Sequence, residues 1–311
     1  MPSLKEIKTR IASVNSTRKI TSAMKMVASS KLHRSQSAIE SMLPYEGMLE
    51  HILRSFLEAT PEIETPYNQE RPIKRVALIV YSSSSSLCGG FNTNIIKAMH
   101  NAVRSYKEKG FSNKDIVIYT IGRKVYEKAK KMGYTVVNLY SDLAEKPSLK
   151  RARQLSTEVC QKWIEGDFDK VELVYHHFKS AGTQILTRKT FLPIEINLNN
   201  GNDKNNGSVS LEKSSDNEEQ SLKDLSKDYF LVEPDIKTVL NTLIPRLLDN
   251  MIYTASLDSN ASEHAARMVA MQTATDNADE LLRTLNLQYN KSRQASITSE
   301  LLDIMGGSVN N

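Results

Sequence analysis

Cysteine is almost missing from this chain of 311 residues, which holds only Cys88 and Cys160, at no paired spacing. That speaks against a disulfide scaffold and fits a reducing compartment. Aromatic residues, at 6%, are on the low side, which suits long helices better than thick β-sandwiches. No uncharged apolar run reaches the roughly 18 residues that a membrane span needs. The N-terminus carries Lys5, Glu6 and Lys8 where a secretory signal would have an apolar core. The reading is a cytoplasmic protein. A strong charge of one sign is also missing. The chain has 41 Lys+Arg against 36 Asp+Glu, a formal +5, far short of what nucleic-acid binding as the main business of the whole chain would demand.

What is present is unevenly placed. Lys5, Lys8, Arg10, Arg18, Lys19, Lys25, Lys31 and Arg34 face Glu6 alone before residue 35, so the first segment should seek an acidic partner. Apolar or small residues fall at Leu4, Ile7, Ile11, Val14, Thr21, Met24, Ala28, Leu32, Ser35, Ile39 and Met42, close to the three-and-four spacing of a heptad. Ser3 is a candidate N-cap with Glu6 at the capping-box position, and Thr60-Pro61 a candidate stop. The spacing predicts a helix approaching or exceeding roughly 75 Å in contour, with a kink at Pro44. A second periodic stretch follows Glu233-Pro234-Asp235 and runs through Leu240, Leu247, Met268, Leu282, Leu285, Tyr289 and Ile304 to Gly306-Gly307, with an interruption expected at Pro245. Ala255, Ala261, Ala265, Ala266, Ala270 and Ala274 make its middle slender. Neither helix is stable alone at such length, yet each has one apolar stripe, so pairing with each other is the simplest solution. With one helix at each end of the chain, the pair is antiparallel. The rigid coil is expected between Ser3 and Leu43, paired with the chain beyond Pro245.

The middle alternates between periods. Val76–Tyr81 (VALIVY), Ile116–Ile121 (IVIYTI), Tyr134–Leu139 (YTVVNL) and Val171–Phe178 (VELVYHHF) read as strands, separated by helical segments near residues 92–109, 123–131 and 149–164. Gln184–Pro193 alternates like a late edge strand. Alternation of this kind predicts a mostly parallel sheet with helices on both faces, a Rossmann-like α/β domain. The expected organisation is a coiled-coil helix over 1–60, a central α/β domain over 73–195, an acidic insertion without fixed structure over 196–230, and a second coiled-coil helix over 234–305. Within that insertion, residues 199–228 are rich in Asn, Ser, Asp, Glu and Lys.

Sites of chemistry are scarce. Ser82–Thr93 (SSSSSLCGGFNT) sits after a strand and before a helix, where α/β proteins often bind phosphate. It lacks the Lys-Ser/Thr ending of a P-loop and the three-glycine spacing of a dinucleotide site, so it reads as a structural turn and helix cap. Cys88 reads as a small buried thiol. His176 and His177 are adjacent on a strand and point to opposite faces, so they do not share a metal. The lysines of the first helix surround an apolar stripe without interleaved aromatics, the pattern of a solvated coiled-coil face rather than of a nucleic-acid binder. No catalytic constellation emerges, and no cofactor or metal is expected.

Both ends carry long specific strings. Ile20–Lys31 (ITSAMKMVASSK), Ala261–Met271 (ASEHAARMVAM), Thr275-Asp276-Asn277 and Tyr289–Glu300 (YNKSRQASITSE) resemble the terminal signatures of F-type ATP synthase gamma subunits, and Leu87–Asn92 (LCGGFN) resembles the same family's central segment. The likeness covers nearly the whole chain except residues 199–228. It implies a non-catalytic rotor shaft whose coiled coil penetrates the alpha/beta hexamer, with the globular middle against the epsilon subunit and the ring of c subunits. It also implies that Met24, Arg267, Gln294, Thr298 and Glu300 face the catalytic beta subunits, with Arg293 a neighbouring candidate. Ser84-Ser85-Ser86 stands where family members commonly have Asp-Arg-Gly, so no role passes to an arginine there. The insertion contains no cysteine, so thiol regulation of the chloroplast kind is not expected. The lack of a transit peptide points to a bacterial protein on the cytoplasmic face of the inner membrane.

Overall fold

The computed structural model describes residues 3–59, 65–69, 71–138, 140–194, 232–233 and 235–308. The acidic insertion and the Thr60-Pro61 stop lie outside the described residues. The elements in chain order are α1 (Leu4–Ala59), β1 (Val76–Tyr81), α2 (Phe91–Lys107), β2 (Ile116–Ile121), α3 (Arg123–Lys131), β3 (Thr135–Val137), a short 3₁₀ turn (Ser141–Ala144), α4 (Leu149–Ile164), β4 (Lys170–Phe178), β5 (Gln184–Leu192) and α5 (Ile236–Ser308). They form two compact units, one from Met1–Ser30 with Arg267–Asn311, the other from Lys31–Ala266.

The start of α1 is closed by the capping box read from the sequence. The Glu6 amide donates to Ser3 Oγ at 3.3 Å, and the Ser3 amide donates to Glu6 Oε2 at 3.1 Å. At α5 the Thr238 amide donates to Asp235 Oδ2 at 3.1 Å, so Asp235 satisfies one of the orphan donors of that helix. Neither proline interrupts its helix. Pro44 lies inside α1, a continuous run of 56 residues, and Pro245 inside α5, a run of 73. The interruption expected at Pro245 is therefore corrected. Each ring removes only one backbone donor, and the residues whose carbonyls lose that helical partner, Glu40 and Asn241, are exposed.

In the Lys31–Ala266 unit the five strands run in the order β3-β2-β1-β4-β5, parallel except for the antiparallel pair β4–β5. β1 is buried along its whole length, which its unbroken apolar run requires of a central parallel strand. Alternate residues feed two cores. Leu78, Val80, Ile118 and Val174 meet Ile95, Met99 and Val103 of α2 and Val125 of α3 on one face. On the other, Ile79, Tyr81, Leu173 and Tyr175 meet Leu155, Val159 and Trp163 of α4, together with Leu49, Leu53 and Phe56 of α1 and Leu240, Leu248 and Ile252 of α5. The C-terminal part of α1 and the N-terminal part of α5 thus form part of one of the helical layers that the alternating pattern predicted.

Candidate functional site

In the Met1–Ser30/Arg267–Asn311 unit, α1 and α5 meet along a seven-residue repeat. Ile7, Thr21 and Ala28 are buried on α1, and Met271, Ala278 and Leu285 on α5. The pairing is antiparallel, because Thr21 Oγ1 lies 2.8 Å from Thr275 Oγ1 while Arg18, one turn earlier, donates at 2.8 Å to Asp279, one turn later. Arg18 and Asp279 are 39% and 52% exposed, so their ion pair adds little stability. The Thr–Thr contact is half-buried and sets the register, as a polar seam position does in coiled coils. Close to Ile7, the groove walls include Leu285 and Gln288.

The register set by Thr21 and Thr275 brings the start of α1 level with about Ser292 of α5. After Leu285 none of its described side chains is buried, and Leu287, Ile297, Leu301, Leu302, Ile304 and Met305 are exposed. Four of the residues implicated by resemblance, Arg293, Gln294, Thr298 and Glu300, lie on this stretch and are exposed. Thr298 Oγ1 donates to the Gln294 carbonyl at 2.8 Å one turn back. Met24 is half-buried one turn beyond Thr21. Arg267 is different, at 8% exposed, so its side chain is largely covered within this chain itself. Sequence reasoning missed the exposed apolar side chains Ile20 and Val27, each 58% exposed, which lie off the heptad stripe of α1 among its basic residues. Their departure from the stripe was the signal.

The β1–α2 turn is tied internally. Leu87 takes a left-handed φ of 66°, the Ser83 amide donates to Asn92 Oδ1 at 3.1 Å, and Asn92 Nδ2 reaches the Ser85 carbonyl at 3.2 Å and Cys88 Sγ at 3.1 Å. Cys88 is buried, as expected of a small structural thiol. The segment is a turn leading into the N-cap of α2, which is Gly90 and makes no side-chain hydrogen bond. In doubly wound sheets ligands bind beyond the carboxyl ends of the strands where the order reverses, here between β1 and β4. The last helix reaches the strand ends there. Ser262 of α5 donates to the His176 carbonyl at 3.1 Å, past the last β1–β4 rung at Val80–Val174.

His176 and His177 point apart, as strand alternation requires. His176 stacks on Phe91 with ring centroids 4.5 Å apart, and burial pushes its imidazole down to about 4. His177 Nδ1 lies 2.7 Å from Asp258 Oδ2 on α5. Cys160 is buried too, which pushes its thiol up to about 12 and leaves it unreactive.

The two ends of the chain thus pair along one antiparallel seam, and its last helix is tied to the carboxyl end of the sheet. Residues 3–309 match the family described as ATP synthase. The chain is 48% identical to the ATP synthase gamma chain of Phocaeicola vulgatus over 99% of its length and 100% of the relative's, and 50% identical to that of Bacteroides fragilis over the same shares. Its fold resembles the central stalk of the Tetrahymena thermophila mitochondrial ATP synthase (TM-score 0.54, 22% identity, 82% of this chain and 99% of that one). It also resembles the Euglena gracilis mitochondrial ATP synthase rotor (TM-score 0.58, 17% identity, 94% and 98%). The chain belongs to the F-type ATP synthase gamma-subunit family.

Proposed function

We infer that this chain is the central-stalk rotor subunit of an F-type ATP synthase, passing torque between the ion-driven c-subunit ring and the alpha/beta hexamer, with epsilon as its companion on the stalk. It is not itself catalytic; the nucleotide chemistry belongs to the beta subunits. The observation that carries this reading is the lone end of α5. From about Ser292, level with the start of α1, the helix continues to Ser308, roughly 25 Å at about 1.5 Å per residue. A single helix with exposed leucines and isoleucines is marginal in water. Such an end is stabilised inside a partner that supplies an apolar sleeve, the place the hexamer takes in this reading.

Torque follows from asymmetry. Two unequal helices, α1 basic through Lys5, Lys8, Arg10 and Lys19 and α5 apolar at its end, cannot present the same surface to three equivalent catalytic subunits. Each is biased to a different conformation, and rotation passes those conformations around the ring. In this reading residues 1–60 and 234–305 make the shaft, 73–195 the body, and 196–230 an acidic insertion between body and shaft. Met24, Arg267, Arg293, Gln294, Thr298 and Glu300 are the contacts to beta, with Arg267 acting from a covered position. No described helix is long and apolar enough to cross a membrane. We place the chain at the cytoplasmic face of a bacterial inner membrane, held there through the complex.

Alpha and beta subunits are expected to copurify with this chain from detergent-treated membranes, and the chain alone to have no ATPase activity; robust hydrolysis by the isolated chain would overturn the reading. Replacing both Gln294 and Glu300 by alanine should leave stability within about 0.5 kcal/mol, since both side chains are exposed. The loss of about 1 kcal/mol of contact to beta should lower the ratio of ion transport to ATP hydrolysis about fivefold. An unchanged ratio in reconstituted vesicles contradicts these contacts.

A further inference from the structure

α5 is held to the α/β unit by unusual means. From Ala255 to Ala265 every side chain except that of Asp258 is buried, yet Ser256, Ser259, Asn260, Ser262, Glu263 and His264 are polar. The grip therefore depends on hydrogen bonds as much as on apolar packing. Tyr81 Oη donates to the Ile252 carbonyl at 3.2 Å, and Asn260 Nδ2 donates to the Ala144 carbonyl at 2.8 Å while its Oδ1 accepts from Ser35 Oγ at 2.8 Å. Ser262 holds the His176 carbonyl. One tie among these joins two titratable side chains, His177 of β4 and Asp258 of α5, 2.7 Å apart and 29% and 13% exposed.

We propose that the His177–Asp258 pair is a proton-operated clamp that fixes α5 on the sheet, closed when the imidazole carries its proton and loosened when it is lost. With the proton in place, Nδ1–H donates to a carboxylate of opposite charge. Without it, the neutral imidazole keeps one N–H for Asp258 but no opposite charge, and the nearly buried carboxylate is left with the Phe178 amide and Lys189 of β5, beside Tyr175 of β4, while Glu46 of α1 acts on His177. His177 is held above the ordinary imidazole value, first by its hydrogen bond to Asp258, and Asp258 is raised above the ordinary carboxylate value by burial. Both shifts mean that the folded chain binds protons more readily than the unfolded one. The clamp's contribution is complete below about pH 6.5, the ordinary imidazole value, and is lost as pH rises through the raised value of His177. The neighbouring His176 is the internal control: at about 4 it stays neutral throughout this range. The clamp lies within the Lys31–Ala266 unit and acts whatever partners the stalk has.

The test is hydrogen exchange on the assembled alpha–beta–gamma complex at pH 6.0 and 8.5, corrected for intrinsic exchange. Protection of residues 252–262 relative to α2 should fall about threefold to tenfold at the higher pH, and in D258N this difference should vanish. Equal pH responses in the two proteins overturn the proposal. Should D258N fail to assemble, the wild type decides: protection at 252–262 that tracks α2 at both pH values overturns it, and a selective fall supports it.

Discussion

Gly122→Ala is expected to cost the α/β unit at least about 4 kcal/mol, among the largest losses a single methyl group can cause. Gly122 sits between β2 and α3 at φ 97°, and a Cβ there would collide with the Ser82 carbonyl at the end of β1. Left-handed backbone in a residue with a side chain costs about 1–2 kcal/mol. Here the collision is with main chain, which cannot rotate away. The Ser82 amide donates to the Ile121 carbonyl at 2.7 Å, Ser82 Oγ accepts from the Val125 amide at 3.1 Å, and the Ser83 carbonyl accepts from the Lys124 amide at 3.2 Å. Relief of the clash would break these bonds between the two central strands and α3. The single tryptophan, Trp163, is fully buried in this unit, so its fluorescence in urea reports this unit's unfolding. Gly133→Ala is the control. It too has a left-handed φ, 73°, but nothing lies within 4 Å of the added Cβ, and it should cost only about 1–2 kcal/mol. Similar midpoints for the two variants would contradict the collision.

Trp163→Ala should remove about 3–5 kcal/mol from the same unit. Its indole is wholly inaccessible in the core between α4 and the sheet, and Nε1–H donates to the Pro66 carbonyl at 2.9 Å. Arg71 lies over the ring at 5.3 Å and donates to the Trp163 carbonyl at 3.0 Å. The residue thus fills the core and also anchors the chain returning toward β1. Truncation opens a cavity and leaves a carbonyl without its donor. Trp163→Phe keeps most of the volume and should lose only about 1–2 kcal/mol, chiefly the hydrogen bond. Circular dichroism melts of the full chain give both values, and an alanine variant as stable as the phenylalanine one would mean that the cavity collapses.

Much of this architecture was legible in the amino acids because it is local. The heptad from Ile7 to Ser35 predicts a paired helix, and Ile7, Thr21, Ala28 and Ser35 are buried. The run VALIVY predicts a strand covered on both faces, and β1 is one. Ser3 with Glu6 predicts the capping box, since both partners lie within one turn. What failed to show depends on distant neighbours. A proline's effect on a long helix turns on the surroundings of the orphaned carbonyl, and Glu40 and Asn241, one turn before Pro44 and Pro245, are exposed residues. The covering of Arg267 and the hydrogen bond from Ser262 to the end of β4 arise from residues far away in sequence, where periodicity carries no signal. The strings at Ile20–Lys31 and Tyr289–Glu300 pointed to the family, yet no spacing rule distinguishes Gln294, open to a partner, from Arg267, folded inward.

The seam joins the first and last parts of the chain, and that placement has a consequence for biosynthesis. Thr21 and Thr275 are 254 positions apart. A ribosome adds roughly 5–20 residues per second, so α1 waits on the order of tens of seconds for its mate to be made. During that interval Ile20, Met26 and Val27 are joined at the surface by the stripe that Ile7 and Ala28 later bury. The newborn helix is kept in solution by the cluster of positive charge before residue 35. The residues that in the proposed shaft would meet an acidic partner thus first serve an unpaired helix as a solubilising device.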